Sequence, residues 1–166
     1  MAYQQGDTIT TSEYNTFAGN VNTIIGTGSN DSGYGLSEIA TVSAGDTITA
    51  AQWNSLLSGL QKAAGHQGTT LTNASNTVSQ GGNILPLSNL EADITLITNN
   101  KLTAANSNMA TDTGVTSTRT TSWGTTVYHE FTVTFASANA ARHFFNSGGE
   151  IRFAGSRSGG SSTDQN

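Results

Sequence analysis

The chain has no cysteine, a single proline at Pro86, and charged side chains at only 10% of its 166 positions. Without cysteine, neither a disulfide framework nor a thiolate metal site can form. A formal net charge of −5 is too small for the self-repelling composition of disordered tracts. There is no dense Lys/Arg stripe with interleaved aromatics, so a nucleic-acid partner is not expected. No apolar run approaches the length of a bilayer span, and the start, Met1-Ala-Tyr-Gln-Gln, is polar, which argues against a membrane helix and a secretion signal. Hydrophobic residues make up only 34% of the chain. The rest is dominated by Ser, Thr, Asn, Gln and Gly, which suits extended, hydrogen-bonded and multimeric structure better than an enzyme with a large core.

What the chain does have is a stretch written twice. Gly6, Asp7, Thr8, Ile9, Thr10, Asn15 and Gly26 recur in register as Gly45, Asp46, Thr47, Ile48, Thr49, Asn54 and Gly65. Thr10 with Glu13, and Thr49 with Gln52, have the capping-box spacing in which hydroxyl and carboxylate or amide satisfy orphan backbone N–H groups at a helix start. Behind each cap runs one apolar helical stripe: Tyr14, Phe17, Val21, Ile24 and Ile25 in the first copy, Trp53, Leu56, Leu57, Leu60 and Ala64 in the second. The two copies are expected to pack on each other, with Tyr14, Phe17, Val21, Trp53, Leu56 and Leu60 as the shared core. Gly26 and Gly65 stand where left-handed helix ends would fall.

The glycine-rich loop from Gly26 to Gly35 has no Lys-Ser/Thr to complete a phosphate loop and no alternating carboxylates for calcium, so a tight connector is the preferred reading. Residues 66–83 read as a polar connector and domain boundary. His66 has no second candidate ligand at metal-like spacing. Pro86 suits the first turn of a third helix, whose Leu87, Leu90, Ile94 and Ile97 form a short coiled-coil-like seam. That seam either joins three or more copies of the chain or covers the part that follows. In the last third the period changes. Val127, His129, Phe131, Val133 and Phe135 alternate with polar partners as a half-buried strand would, Ser137 can cap a helix at 138–146, and a second strand is expected at 150–154. The expected fold class is therefore α+β. A duplicated strand-helix attachment module spans 1–65, a connector 66–83, a helical spine and connector 84–113, and a small antiparallel β-rich unit with one short helix 114–166.

No catalytic, metal or cofactor constellation emerges. Gly155-Ser-Arg-Ser-Gly159 resembles a nucleophile elbow only loosely, and Glu130 with Glu150 lacks the charged surroundings that would separate the two carboxyls into acid and base. Trp123, Tyr128 and Tyr34 on polar loops are what a shallow sugar site uses, but for Trp123 a strand-edge or core position is the preferred reading.

The loop Gly26-Thr-Gly-Ser-Asn-Asp-Ser-Gly-Tyr-Gly35, the paired Gly-Asp-Thr-Ile-Thr helices, the step His66-Gln67-Gly68, and above all Phe144-Phe-Asn-Ser-Gly-Gly-Glu-Ile-Arg-Phe-Ala-Gly-Ser-Arg-Ser-Gly-Gly160 resemble virion structural proteins of tailed bacteriophages, particularly those of cyanophages and marine phages. The resemblance covers nearly the whole chain. It implies a non-enzymatic component of the tail, neck or baseplate, made in the host cytoplasm and assembled into the particle with other virion proteins. Copies of itself, as a trimer or hexamer, are the expected partners. A receptor- or glycan-binding tip protein and a head decoration protein are the alternatives.

Overall fold

A computed structural model describes residues 8–73, 77–84, 87–110, 114–121 and 123–158; the side chain of Leu87 lies outside the description. Four α-helices are present among the described residues: α1 (Thr11–Ile25), α2 (Ala50–Gln67), α3 (Leu87–Asn99) and α4 (Ala138–Asn146), with one 3₁₀ turn at Asn106–Asn108.

Both capping boxes form. The Thr10 hydroxyl accepts from the Glu13 amide at 3.3 Å while the Glu13 carboxylate accepts from the Thr10 amide at 2.9 Å. Thr49 and Gln52 repeat the exchange at 3.2 and 2.8 Å. Each box satisfies two of the N–H groups that a helix start leaves orphaned, so α1 and α2 begin at equivalent residues.

α1, α2 and α3 each pack on the other two. Their stripes close one core in which Tyr14, Phe17, Val21, Trp53, Leu56, Leu60, Leu90, Ile94 and Ile97 are all buried. Gly59 lets α2 approach closely, because a Cβ there would meet Ile39 Cδ1 at 2.7 Å and Val21 Cγ1 at 3.2 Å. The stripe of α3 is thus enclosed within the chain at Leu90, Ile94 and Ile97.

The α+β expectation is overturned, because no strand is present among the described residues. The extended segments are held by helix side chains instead of by neighbouring backbone. Asn15 on α1 accepts from the Val42 amide and donates to its carbonyl, both at 2.9 Å. Asn54, its counterpart on α2, does the same to Val78 at 2.8 and 2.9 Å. Asn22 holds Ile39 in the same two-point manner at 2.8 and 2.9 Å. An amide side chain presents an NH2 donor group beside a carbonyl acceptor, which can meet both the C=O and the N–H of a single residue of extended backbone, so Val42, Val78 and Ile39 are satisfied without a ladder. The repeat unit is therefore a helix plus the extended stretch that its asparagine clamps.

Two helix ends also differ from expectation. Gly26 is extended, with φ −69° and ψ −169°, because the returning loop brings the Tyr34 and Leu36 amides onto the Ile24 and Ile25 carbonyls at 2.8 Å each. α2 runs past Gly65 and ends on Gly68, whose φ of 70° is the left-handed cap. Expectations at Pro86 and Gly159 fall outside the described residues.

The segment 66–83 is tied to the core at several points. The Gln67 side chain is buried and donates to the Ile97 carbonyl at 2.9 Å and to the Tyr34 hydroxyl at 2.8 Å. Asp93, fully buried on α3, accepts from the amides of Thr72 and Asn73 at 3.0 and 2.9 Å. A buried carboxylate that accepts backbone N–H groups offsets part of its desolvation cost, so Asp93 acts as a polar anchor for the chain entering α3.

Candidate interaction surfaces

The glycine-rich loop acts as a receptor for α4. Its backbone takes left-handed values at Gly28, Asn30, Gly33 and Gly35, which turns several carbonyl oxygens outward. Arg142 donates to the carbonyls of Ser32 at 3.0 Å and Thr27 at 2.8 Å. The buried Asn146 amide donates to Ser32 at 2.8 Å and Asn30 at 3.0 Å. His143 donates from Nδ1 to the Gly33 carbonyl at 3.1 Å, which leaves Nε2 to accept from Arg142 at 3.5 Å. A phosphate cradle converges N–H groups on its ligand; this loop converges C=O groups on a cation and an amide. Its chemistry is therefore that of an intramolecular socket.

Beside the socket, the Tyr34 ring stands 5.0 Å from that of His66, and its hydroxyl donates to the Lys101 carbonyl at 2.7 Å. Burial raises the Tyr34 pKa above its ordinary value of 10.0, with the Gln67 hydrogen bond acting weakly the other way; burial raises that of Tyr14 as well. His66 donates from Nε2 to the Ser147 carbonyl at 2.6 Å. The C-terminal half of α4 is thus fastened to the helical core, at Arg142, His143, Asn146 and the following Ser147. Ser137 caps its start through the Ala140 amide at 3.0 Å.

The remaining chemical candidates do not converge. His129 is exposed, with Nδ1 2.7 Å from the Ser117 hydroxyl. Glu150 pairs at 2.6 Å with Arg152 at the surface. Among the described residues, no three His, Asp or Glu side chains are grouped closely enough to hold a metal ion, and no helix is long and apolar enough to cross a membrane.

The apolar residues of the expected C-terminal strands are largely exposed. Tyr128 is 78% exposed, Phe153 69%, Val133 49%, Ile151 40% and Phe131 37%. Phe131 and Phe153 stand 5.8 Å apart, so the two segments lie side by side there. Phe135 stacks instead with Phe144 and Phe145 of α4 at 5.3 and 5.8 Å, which roots this arm on the docked helix. Trp123 is half-buried.

A second apolar surface lies on the helical core. A groove of about 500 Å³ runs along the start of α2 and is lined by Ile9, Ile48, Ala51, Trp53, Val78 and Ile84, among others. Of the interface residues expected from sequence, Leu90, Ile94 and Ile97 lie in the core, and the side chain of Leu87 lies outside the description. The C-terminal unit is expected from sequence as a docking surface or outward-facing tip, though built of strands; the groove has no helical stripe to mark it and is not expected. The one available signal for the arm was the alternation from Val127 to Phe135.

Comparison with family models, with curated proteins and with solved structures finds no match.

Proposed function

We propose that this chain is a non-enzymatic virion structural protein of a tailed phage, acting through contacts between subunits on the tail, neck or baseplate. The observation that carries the reading is the contrast between its two parts: a closed three-helix core and an arm whose apolar side chains face outward. A contiguous apolar surface on an otherwise polar chain marks an interaction site. The low charge and the resemblance of the Phe144–Gly160 stretch to phage particle proteins support the same assignment. The socket that fastens α4 gives the arm a fixed point of departure, as a docking element requires.

The experiment is compositional. Purified particles are analysed by mass spectrometry and labelled with an antibody to this chain. Label on tails, and none on tail-free capsids, is the expected result; label on capsids alone favours a head decoration protein, and absence from particles refutes the virion reading. The ring of Tyr128, exposed on the arm, also suits stacking on a sugar. Saturable binding on a glycan array that is lost in Tyr128→Ala would favour the receptor-binding reading.

A further inference from the structure

We infer that the aromatic arm of one copy seats in the groove beside α2 of the next, so that the chain associates with itself head to tail. The inference deepens the assembly reading above and rests on it.

Exposure is the first support. Tyr128 and Phe153 on the arm are 78% and 69% exposed, whereas large aromatic side chains are ordinarily well buried. The described arm is where the large exposed apolar side chains concentrate. Among the described residues, no backbone-to-backbone hydrogen bond engages 115–121, 123–135 or 150–156. The arm is thus short of partners for its rings and for its main chain alike.

Charge selects a second copy as the occupant, and the core as the place it binds. With α4 docked, the helical part, residues 8–110 and 138–146, carries six carboxylates, of which Asp93 is buried, against Lys62, Lys101 and Arg142; the arm proper, 114–135 and 147–158, carries Arg119, Arg152 and Arg157 against Glu130 and Glu150. Arm against arm brings like charge together, whereas arm against core brings opposite charge together. Arg119 is exposed on the arm, as is Arg152, which pairs with Glu150 at 2.6 Å, and Asp46 is exposed next to Thr47 on the groove rim.

The groove, at about 500 Å³, is large enough for a few side chains and is lined in part by the apolar Ile9, Ile48, Trp53, Val78 and Ile84. Arm and groove are different patches, so the contact is heterologous and closes into a ring when the rotation permits.

The test uses the full chain. Phe131→Ser with Phe153→Ser strips the arm without touching the buried core, and Ala51→Trp, at an exposed position lining the groove, fills the groove. Gln80→Trp, at another exposed residue lining the groove, is a second blocker. Circular dichroism first establishes that each variant keeps the helical content of the native chain. Light scattering should then show an oligomeric native chain, monomeric arm and groove variants, and a two-chain species when arm and groove variants are mixed, since one intact arm and one intact groove remain. Native mass retained by the arm variant, or by both groove variants, overturns the inference, as does a mixture that stays monomeric. These outcomes are independent of particle composition, so an oligomer indifferent to all the variants defeats the arm-in-groove contact alone.

Discussion

The substitution Asn15→Asp tests the clamp on which the repeat is built. The Asn15 amide donates to the Val42 carbonyl and accepts from the Val42 amide, each at 2.9 Å. Aspartate is nearly isosteric, keeps the acceptor and loses the donor. One hydrogen bond is lost, at about 1 kcal/mol, and a partly buried carbonyl then faces an anion, which adds about 1–2 kcal/mol. The expected destabilisation at pH 7 is about 2–3 kcal/mol, or roughly 4–12 °C in Tm for a chain of this size. Protonation restores a donor. The Val42 carbonyl holds the introduced carboxyl above the ordinary range in the folded state, so its contribution is present below the unfolded pKa of about 3.9 and is lost as pH rises through the folded value. Urea denaturation of both proteins from pH 3 to pH 7 should therefore show the deficit narrowing in acid. An equal deficit at both ends would refute the two-point clamp.

Further outcomes follow from the same geometry. Ile94→Asp places a carboxylate in the core at a residue 6% exposed and should unfold the three-helix unit, costing above about 3 kcal/mol, rather than merely lower the oligomeric state; a native-like melt would contradict the enclosed position of α3. Arg142→Ala removes donors to the Ser32 and Thr27 carbonyls and should speed hydrogen exchange across α4 while leaving α1 and α2 protected. Unchanged exchange in α4 would refute the socket. Because burial raises the Tyr34 and Tyr14 pKa values above 10.0, both contribute stability that is complete below pH 10 and is lost as pH rises through the folded values. Tyr34→Phe should flatten that alkaline loss, as seen in denaturation from pH 8 to pH 11.5.

The parts of the fold that could be read from sequence were those whose signals are local. Thr10, Thr49 and Ser137 cap their helices through residues three positions on, and the stripes of α1 and α2 carry their own period. The stripe of α3 was equally visible, but not which surface it would meet, because a helix stripe is the same whether its partner belongs to its own chain or to another.

The C-terminal strands failed for a related reason. Alternation from Val127 to Phe135 states that one side is apolar, whereas a strand also needs a hydrogen-bonded neighbour, and no such neighbour is present among the described residues. Asn15 and Asn54 were visible as identical residues, yet their partners lie 27 and 24 positions away. The socket joins residues more than 100 positions apart, a separation that no local pattern encodes.

The central claim is that the arm is an interface between copies of this chain. Its most direct measurement is the absolute mass of the purified chain by light scattering over a concentration series, beside the Phe131→Ser, Phe153→Ser double variant. The account predicts an oligomer that collapses to a monomer when the two rings are removed. A native chain that stays monomeric throughout, or a double variant of undiminished mass, would contradict it.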